Sequence, residues 1–233
     1  MATKLLLIPG MGADERLMGP QASAFPGAVV SAWPDLDPAE TLSGLAGRIA
    51  SRYGVGPGWV VAGVSMGGML AQEVARRSGA DAAVVIASCR HPRAIPRAAR
   101  MLEQAGRVAP DSVIDSIRRF RNRWLIDLLG PRTDDQRRLL AAMSTETPVP
   151  RLRWSARAIF DWTGAEDLTL PVYQIHGTRD RVILCRRAGV GGKPPPVIIE
   201  GGGHVINLTH AGEVNAVIAR AMSGDPPPGT LAG

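Results

Sequence analysis

Short apolar runs alternate with stretches of helical spacing along most of the chain, and the runs predict the strands of a sheet. Lys4–Ile8 (KLLLI) reads as the first strand, and residues 28–33 (AVVSAW), ended by Pro34, as the second. Trp59–Val64 is apolar throughout, as a central strand buried on both faces requires. Residues 82–87 (AAVVIA), 172–175 (VYQI) and Val197–Ile199 complete the set. Between strands, Asp14 is placed to cap a first helix. The string DPAE then puts Asp37 at an N-cap, Pro38 at the first helical position and Glu40 at the third, ahead of Leu42, Leu45, Ile49 and Tyr53. Met66–Ser78 is predicted helical and closed by Gly79, and residues 209–222 align Val214, Val217, Ile218 and Ala221 on one face.

The alternation breaks between Arg90 and Leu168, where only helical spacing is found. Val113, Ile114, Ile117, Phe120, Trp124 and Leu128 mark one amphipathic face, TDDQ at 133–136 is a capping box, and Leu152, Ala156, Ile159 and Phe160 mark a further helix. The expectation is an α/β fold with a mostly parallel sheet of about six strands and helices on both faces. Its core comprises residues 1–89 and 169–222, its helical insertion residues 90–168, and its tail, residues 223–233, is Pro- and Gly-rich and expected to be disordered.

Composition narrows the function classes. The net charge is +6 with a pI near 10.3, and residues 90–167 hold 15 Arg against 10 Asp and Glu. Those arginines are interleaved with acids, and no nucleic-acid motif accompanies them, so a nucleic-acid partner is not expected. Two cysteines, Cys89 and Cys185, form no disulfide framework or metal-ligand spacing, so neither metal nor cofactor is expected. The first apolar run stops at Pro9, too short for a signal peptide, and no stretch reaches membrane-spanning length; a cytoplasmic location is the expectation.

Candidate chemistry begins with Gly63-Val64-Ser65-Met66-Gly67, which fits G-x-S-x-G between a strand and a helix. Such a turn strains the serine backbone and lifts its hydroxyl above the sheet, while its glycines could instead serve close helix–sheet packing alone. Asp180, in HGTRD, follows the penultimate strand, and His204, in EGGGH, follows the last. A serine needs a base, and the base needs an acid to set its tautomer, so Ser65, His204 and Asp180 form the candidate set. His176 is read as a structural hydrogen-bonder, His91 as opening the insertion and His210 as starting the last helix. Asp161, Glu166 and Asp167 precede the penultimate strand and are set aside as the acid.

These motifs together resemble the α/β-hydrolase family over the chain from Lys4 to about Met222; PGMGADERL, HGTRD and EGGGH look like a group of small bacterial members. The resemblance implies a capped serine hydrolase, with residues 90–168 as the cap and the backbone amides of Met11 and Met66 as the oxyanion hole. Pro9 stands where the family often has histidine before Gly10, and the family's first two strands are missing. Trp124, Trp154, Phe160 and Trp162 could wall a substrate pocket or be plain core. The expected reaction is cleavage of an ester-like bond in a small, largely apolar molecule through an acyl-enzyme. The alternatives are the same triad acting on a thioester, a lactone or a carbon–carbon bond or in perhydrolysis, and a non-catalytic ligand-binding module. Substrate identity and oligomeric state are left open.

Overall fold

The computed structural model describes residues 4–35, 37–188 and 195–228. Among these residues six strands form one sheet: β1 (Lys4–Ile8), β2 (Val29–Val30), β3 (Trp59–Val64), β4 (Ala82–Ile86), β5 (Val172–Gly177) and β6 (Val197–Ile199), in the order β2-β1-β3-β4-β5-β6. Every pairing is parallel. The helices are α1 (Gly19–Ala24), α2 (Leu42–Tyr53), α3 (Met66–Ser78), α4 (Arg97–Val108), α5 (Asp111–Leu128), α6 (Asp134–Glu146), α7 (Val149–Asp161), α8 (Cys185–Ala188), α9 (Ile206–Thr209) and α10 (Ala211–Ser223).

Strand alternation divides the core in two. Leu6, Ile8, Val61 and Val85 point to one face, where α2 and α3 supply Leu45, Ile49, Met69 and Leu70. Leu5, Leu7, Val60, Val84 and Ile86 point to the other, against Val214, Val217 and Ile218 of α10. The four helices between β4 and β5 join both layers. Trp154, Ala158 and Ile159 of α7 belong to the first, while Ile126, Leu140 and Met143 of α5 and α6 belong to the second.

Several expectations are corrected here. DPAE does not start a helix. Asp37 accepts instead from the Ala39 amide at 2.9 Å, and α2 begins at Leu42 with the Thr41 side chain accepting from the Gly44 amide at 3.0 Å. The reason is tertiary: α7 clasps this segment, with Arg151 on the Pro34 carbonyl, Arg157 on that of Pro38 and the Trp154 indole N–H on that of Glu40. The second strand shrinks to two residues. The apolar face expected on α5 is turned outward: Val113, Ile117, Phe120 (93% exposed) and Trp124 (58%) face solvent, while Arg118 is buried on the carbonyls of Ser144 and Thr147. The tail is held as far as it is described, since the Tyr173 hydroxyl donates to the Asp225 carbonyl and Pro227 is buried; residues 229–233 lie outside the described residues. The Thr133 to Gln136 capping box forms as expected.

Trp162 ties the α7 end to α3. Its indole N–H donates to Glu73 Oε1 at 2.9 Å, and Ser43 donates to Glu73 Oε2 at 2.9 Å. Trp162→Ala removes a buried ring and leaves that carboxylate short of a donor. We expect it to cost about 3–5 kcal/mol in urea unfolding, within the range for buried aromatic truncations; a loss below ~1 kcal/mol would mean the site collapses or is not core.

Candidate active site

Three loops follow the carboxyl ends of β3, β5 and β6, the edge where open parallel sheets place their ligands. The first is the β3–α3 turn. Ser65 has φ 57° and ψ −122°, a conformation that costs a non-glycine residue energy and that the surrounding packing must enforce. The turn is tight because α3 lies directly on the strands. A Cβ on Gly63 would collide with the Gly67 carbonyl, and one on Gly67 would collide with the Ile8 carbonyl. The glycines of the motif therefore serve close packing and the strained turn together. Ser65 is clamped by its neighbour strand: its amide donates to the Ile86 carbonyl at 2.9 Å, and the Ser88 hydroxyl donates to its carbonyl at 2.6 Å. Ala87, between those contacts, also has positive φ, at 44°. The Ser88 contact is one that the linear motif does not advertise.

The second loop carries Asp180. Its Oδ1 accepts from the amides of Val182 (2.8 Å) and Ile183 (3.0 Å), a turn made by the side chain itself. Its Oδ2 lies 2.8 Å from His204 Nδ1. A carboxylate only accepts, so Nδ1 carries the proton and Nε2 is left as the acceptor, the tautomer a general base needs. Burial pushes the Asp180 carboxyl up, but the facing His204 and His176 imidazoles outweigh it and hold it below the ordinary carboxylate range.

The third loop carries His204. Gly177 and Gly202 are in backbone contact, and the Arg179 amide donates to the Gly202 carbonyl at 2.8 Å, so the loops carrying Asp180 and His204 are joined through their backbones. The loop is also fastened to the end of α5, because the Leu129 carbonyl accepts from the amides of His204 (2.9 Å) and Val205 (3.2 Å). Asp180 and His204 are therefore brought together by a hydrogen bond. Ser65 stands at the same edge, and among the described residues its hydroxyl carries no side-chain hydrogen bond. Contacts of this kind commonly tighten only once substrate is bound.

Met66 is fully buried with its amide at the start of α3, and the loop holding Met11 abuts the turn, since a Cβ on Gly10 would come within 3.3 Å of Ser65 Cβ. The competing side chains are otherwise engaged. His91 Nδ1 accepts from the Arg93 amide, His210 Nδ1 lies 2.9 Å from the Thr209 hydroxyl, Asp161 pairs with Arg107 and Asp167 with Arg76, and Glu166 is exposed. Burial pushes the Cys89 thiol up to about 12, which leaves it inert as a nucleophile near neutral pH. Of the expected pocket walls, Trp154 (5% exposed) and Trp162 (6%) are packed in the core. Trp124 is on the outer face of α5, and Phe160 lies under the Arg100 guanidinium at 5.8 Å. No group of three or more metal-ligating side chains occurs among the described residues, and none of their helices is long and apolar enough to cross a membrane.

The model of the alpha/beta hydrolase family matches residues 6–217. The chain belongs to the alpha/beta hydrolase family. Among curated proteins none matches it in sequence. Solved structures share its fold at low identity. An esterase from Exiguobacterium antarcticum superposes with a TM-score of 0.75 at 13% identity, over 95% of this chain and 92% of that one. A thermophilic esterase from Thermogutta terrifontis gives 0.71 at 17%, over 97% and 91%. An enol-lactonase from Burkholderia xenovorans gives 0.72 at 14%, over 96% and 92%. Such likeness establishes the hydrolase fold and leaves the chemistry to this chain's own residues.

Two outcomes are expected of the site as built. Gly67→Ala forces a methyl into the Ile8 and Pro9 carbonyls, so soluble protein should fall sharply or its Tm drop by several degrees; a variant as stable as the parent would refute the packing account of the motif. Because the folded Asp180 carboxyl lies below its unfolded value of about 3.9, its stabilisation is present above that value and is lost as pH falls toward the folded one. Tm measured from pH 6 downward should therefore decline more steeply in the parent than in Asp180→Asn.

Proposed function

We propose that this alpha/beta hydrolase cleaves an ester-like bond in a small, largely apolar substrate through Ser65, His204 and Asp180. The observation that carries the reading is the strained Ser65 turn at the same sheet edge as an Asp180–His204 pair whose tautomer leaves Nε2 as acceptor. In the proposed cycle Ser65 Oγ attacks the carbonyl carbon as its proton passes to His204 Nε2. The amides of Met11 and Met66 receive the oxyanion, and the tetrahedral adduct collapses as His204 returns the proton to the leaving alcohol. Water, deprotonated by His204, then releases the acid and restores Ser65. Asp180 keeps the imidazole oriented and offsets its positive charge. Residues 90–168 act as the cap, and the Leu129 carbonyl is where the cap meets the base loop.

A fluorophosphonate probe tests this directly, because only an activated serine beside an oxyanion hole reacts quickly. Labelling should map to Ser65 by mass spectrometry and vanish in Ser65→Ala, and His204→Ala should slow hydrolysis of p-nitrophenyl acetate by at least ~10³-fold. Labelling that persists in Ser65→Ala would overturn the assignment.

A further inference from the structure

His176 lies at the end of β5, buried beneath Asp180, four residues before it in sequence. Its Nε2 is 2.8 Å from the Ile183 carbonyl oxygen. A carbonyl accepts and never donates, so Nε2 must carry a proton whatever the charge of the ring. The same Nε2 lies 3.2 Å from Asp180 Oδ2, the oxygen that receives His204 Nδ1–H. Ile183 is thereby gripped at both ends of its backbone: its amide donates to Asp180 Oδ1, and its carbonyl accepts from His176. A continuous chain runs from His176 through Ile183 and Asp180 to His204. All four residues are buried, so water cannot substitute for a missing link at low cost.

We propose that His176 is a positioning residue for the acid, its Nε2–H clamping the Ile183 carbonyl and presenting a positive edge to Asp180 Oδ2 so that the carboxylate keeps the orientation His204 requires. This rests on the Ser65–His204–Asp180 reading above. His176 moves no proton and touches no substrate. Its effect is geometric, through the Ile183 peptide, and electrostatic, through partial compensation of the carboxylate. The other titratable groups facing that carboxylate among the described residues are the thiols of Cys89 and Cys185, whose proton loss its charge opposes; Glu200 faces Cys185. Burial holds both thiols above their ordinary range, so a change in the acid limb of the pH profile reports on His176.

The test is a pair of substitutions of similar polarity and different reach. A glutamine amide nitrogen can take the position of Nε2, whereas an asparagine amide nitrogen stops short of the Ile183 carbonyl. With the full-length enzyme and p-nitrophenyl acetate, His176→Asn should lower kcat by roughly tenfold, well short of the ~10⁴-fold lost when a triad acid is neutralised, with KM little changed. Loss of the positive edge leaves more uncompensated charge facing His204, so the acid limb of kcat/KM should move up by about half a pH unit. His176→Gln should restore both values toward the parent. Two results would overturn the clamp: a folded His176→Asn with parental kcat and acid limb, or a His176→Gln no better than His176→Asn. If His176→Asn does not fold, a folded His176→Gln that lacks the parental kcat and limb also refutes it. Asp180→Asn in the same assay separates the layers. Near-parental activity there removes the triad and the clamp with it, whereas an inactive Asp180→Asn beside an unaltered His176→Asn removes the clamp alone.

Discussion

The closeness of α3 to the strands beneath it governs this molecule, because helix and sheet touch through backbone atoms at Gly63 and Gly67. Only residues without a Cβ permit that approach, and the approach forces Ser65 into its positive-φ turn. Strain of this kind persists only where surrounding contacts over-determine it. Here those contacts are the Ile86 carbonyl on the Ser65 amide and the Ser88 hydroxyl on its carbonyl, both supplied by the neighbouring β4 edge. The serine is thus held by the sheet as well as by its own helix, whose Gly68 and Met69 amides donate to the same Ser65 carbonyl.

Asp180 and His204 are held differently. Neither Asp180 nor His204 lies in a strand or helix, yet both are buried and their loops are knitted by backbone hydrogen bonds and glycine contacts. Burial of a carboxylate is costly unless donors surround it. Asp180 meets that condition with two amides and His204, with His176 close by, and the same arrangement fixes its direction. Stability and orientation at this site therefore have one cause.

The helices between β4 and β5 also belong to the core more than their place in the chain suggests. Trp154 and Trp162 pack with one face of the sheet and donate their indole N–H groups to the Glu40 carbonyl and the Glu73 carboxylate. Ile126, Leu140 and Met143 pack with the other. The Leu129 carbonyl joins this segment to the His204 loop, so a displacement of α5 would be felt at the candidate base.

Much of this was legible in the chain because it depends on local chemistry. Apolar runs without polar interruption mark strands buried on both faces, as Trp59–Val64 does. Gly-x-Ser-x-Gly and the Thr133–Gln136 capping box state their geometry within five residues, and Ser65, Asp180 and His204 each follow the carboxyl end of a parallel strand, which places them at one edge. What depended on distant partners was not legible. The start of α2 shifted because α7 side chains occupy the carbonyls of Pro34, Pro38 and Glu40, over a hundred residues away. The apolar stripe on α5 faces outward while Arg118 is buried, because the carbonyls of Ser144 and Thr147 give its guanidinium partners inside. The Ser88 contact likewise follows from which backbone carbonyl lies within 3 Å of its hydroxyl, whereas His176 was read as a structural hydrogen-bonder and only its partner, the Ile183 carbonyl, came from the tertiary structure. Periodicity states which residues can share a face, and only tertiary packing decides what that face meets.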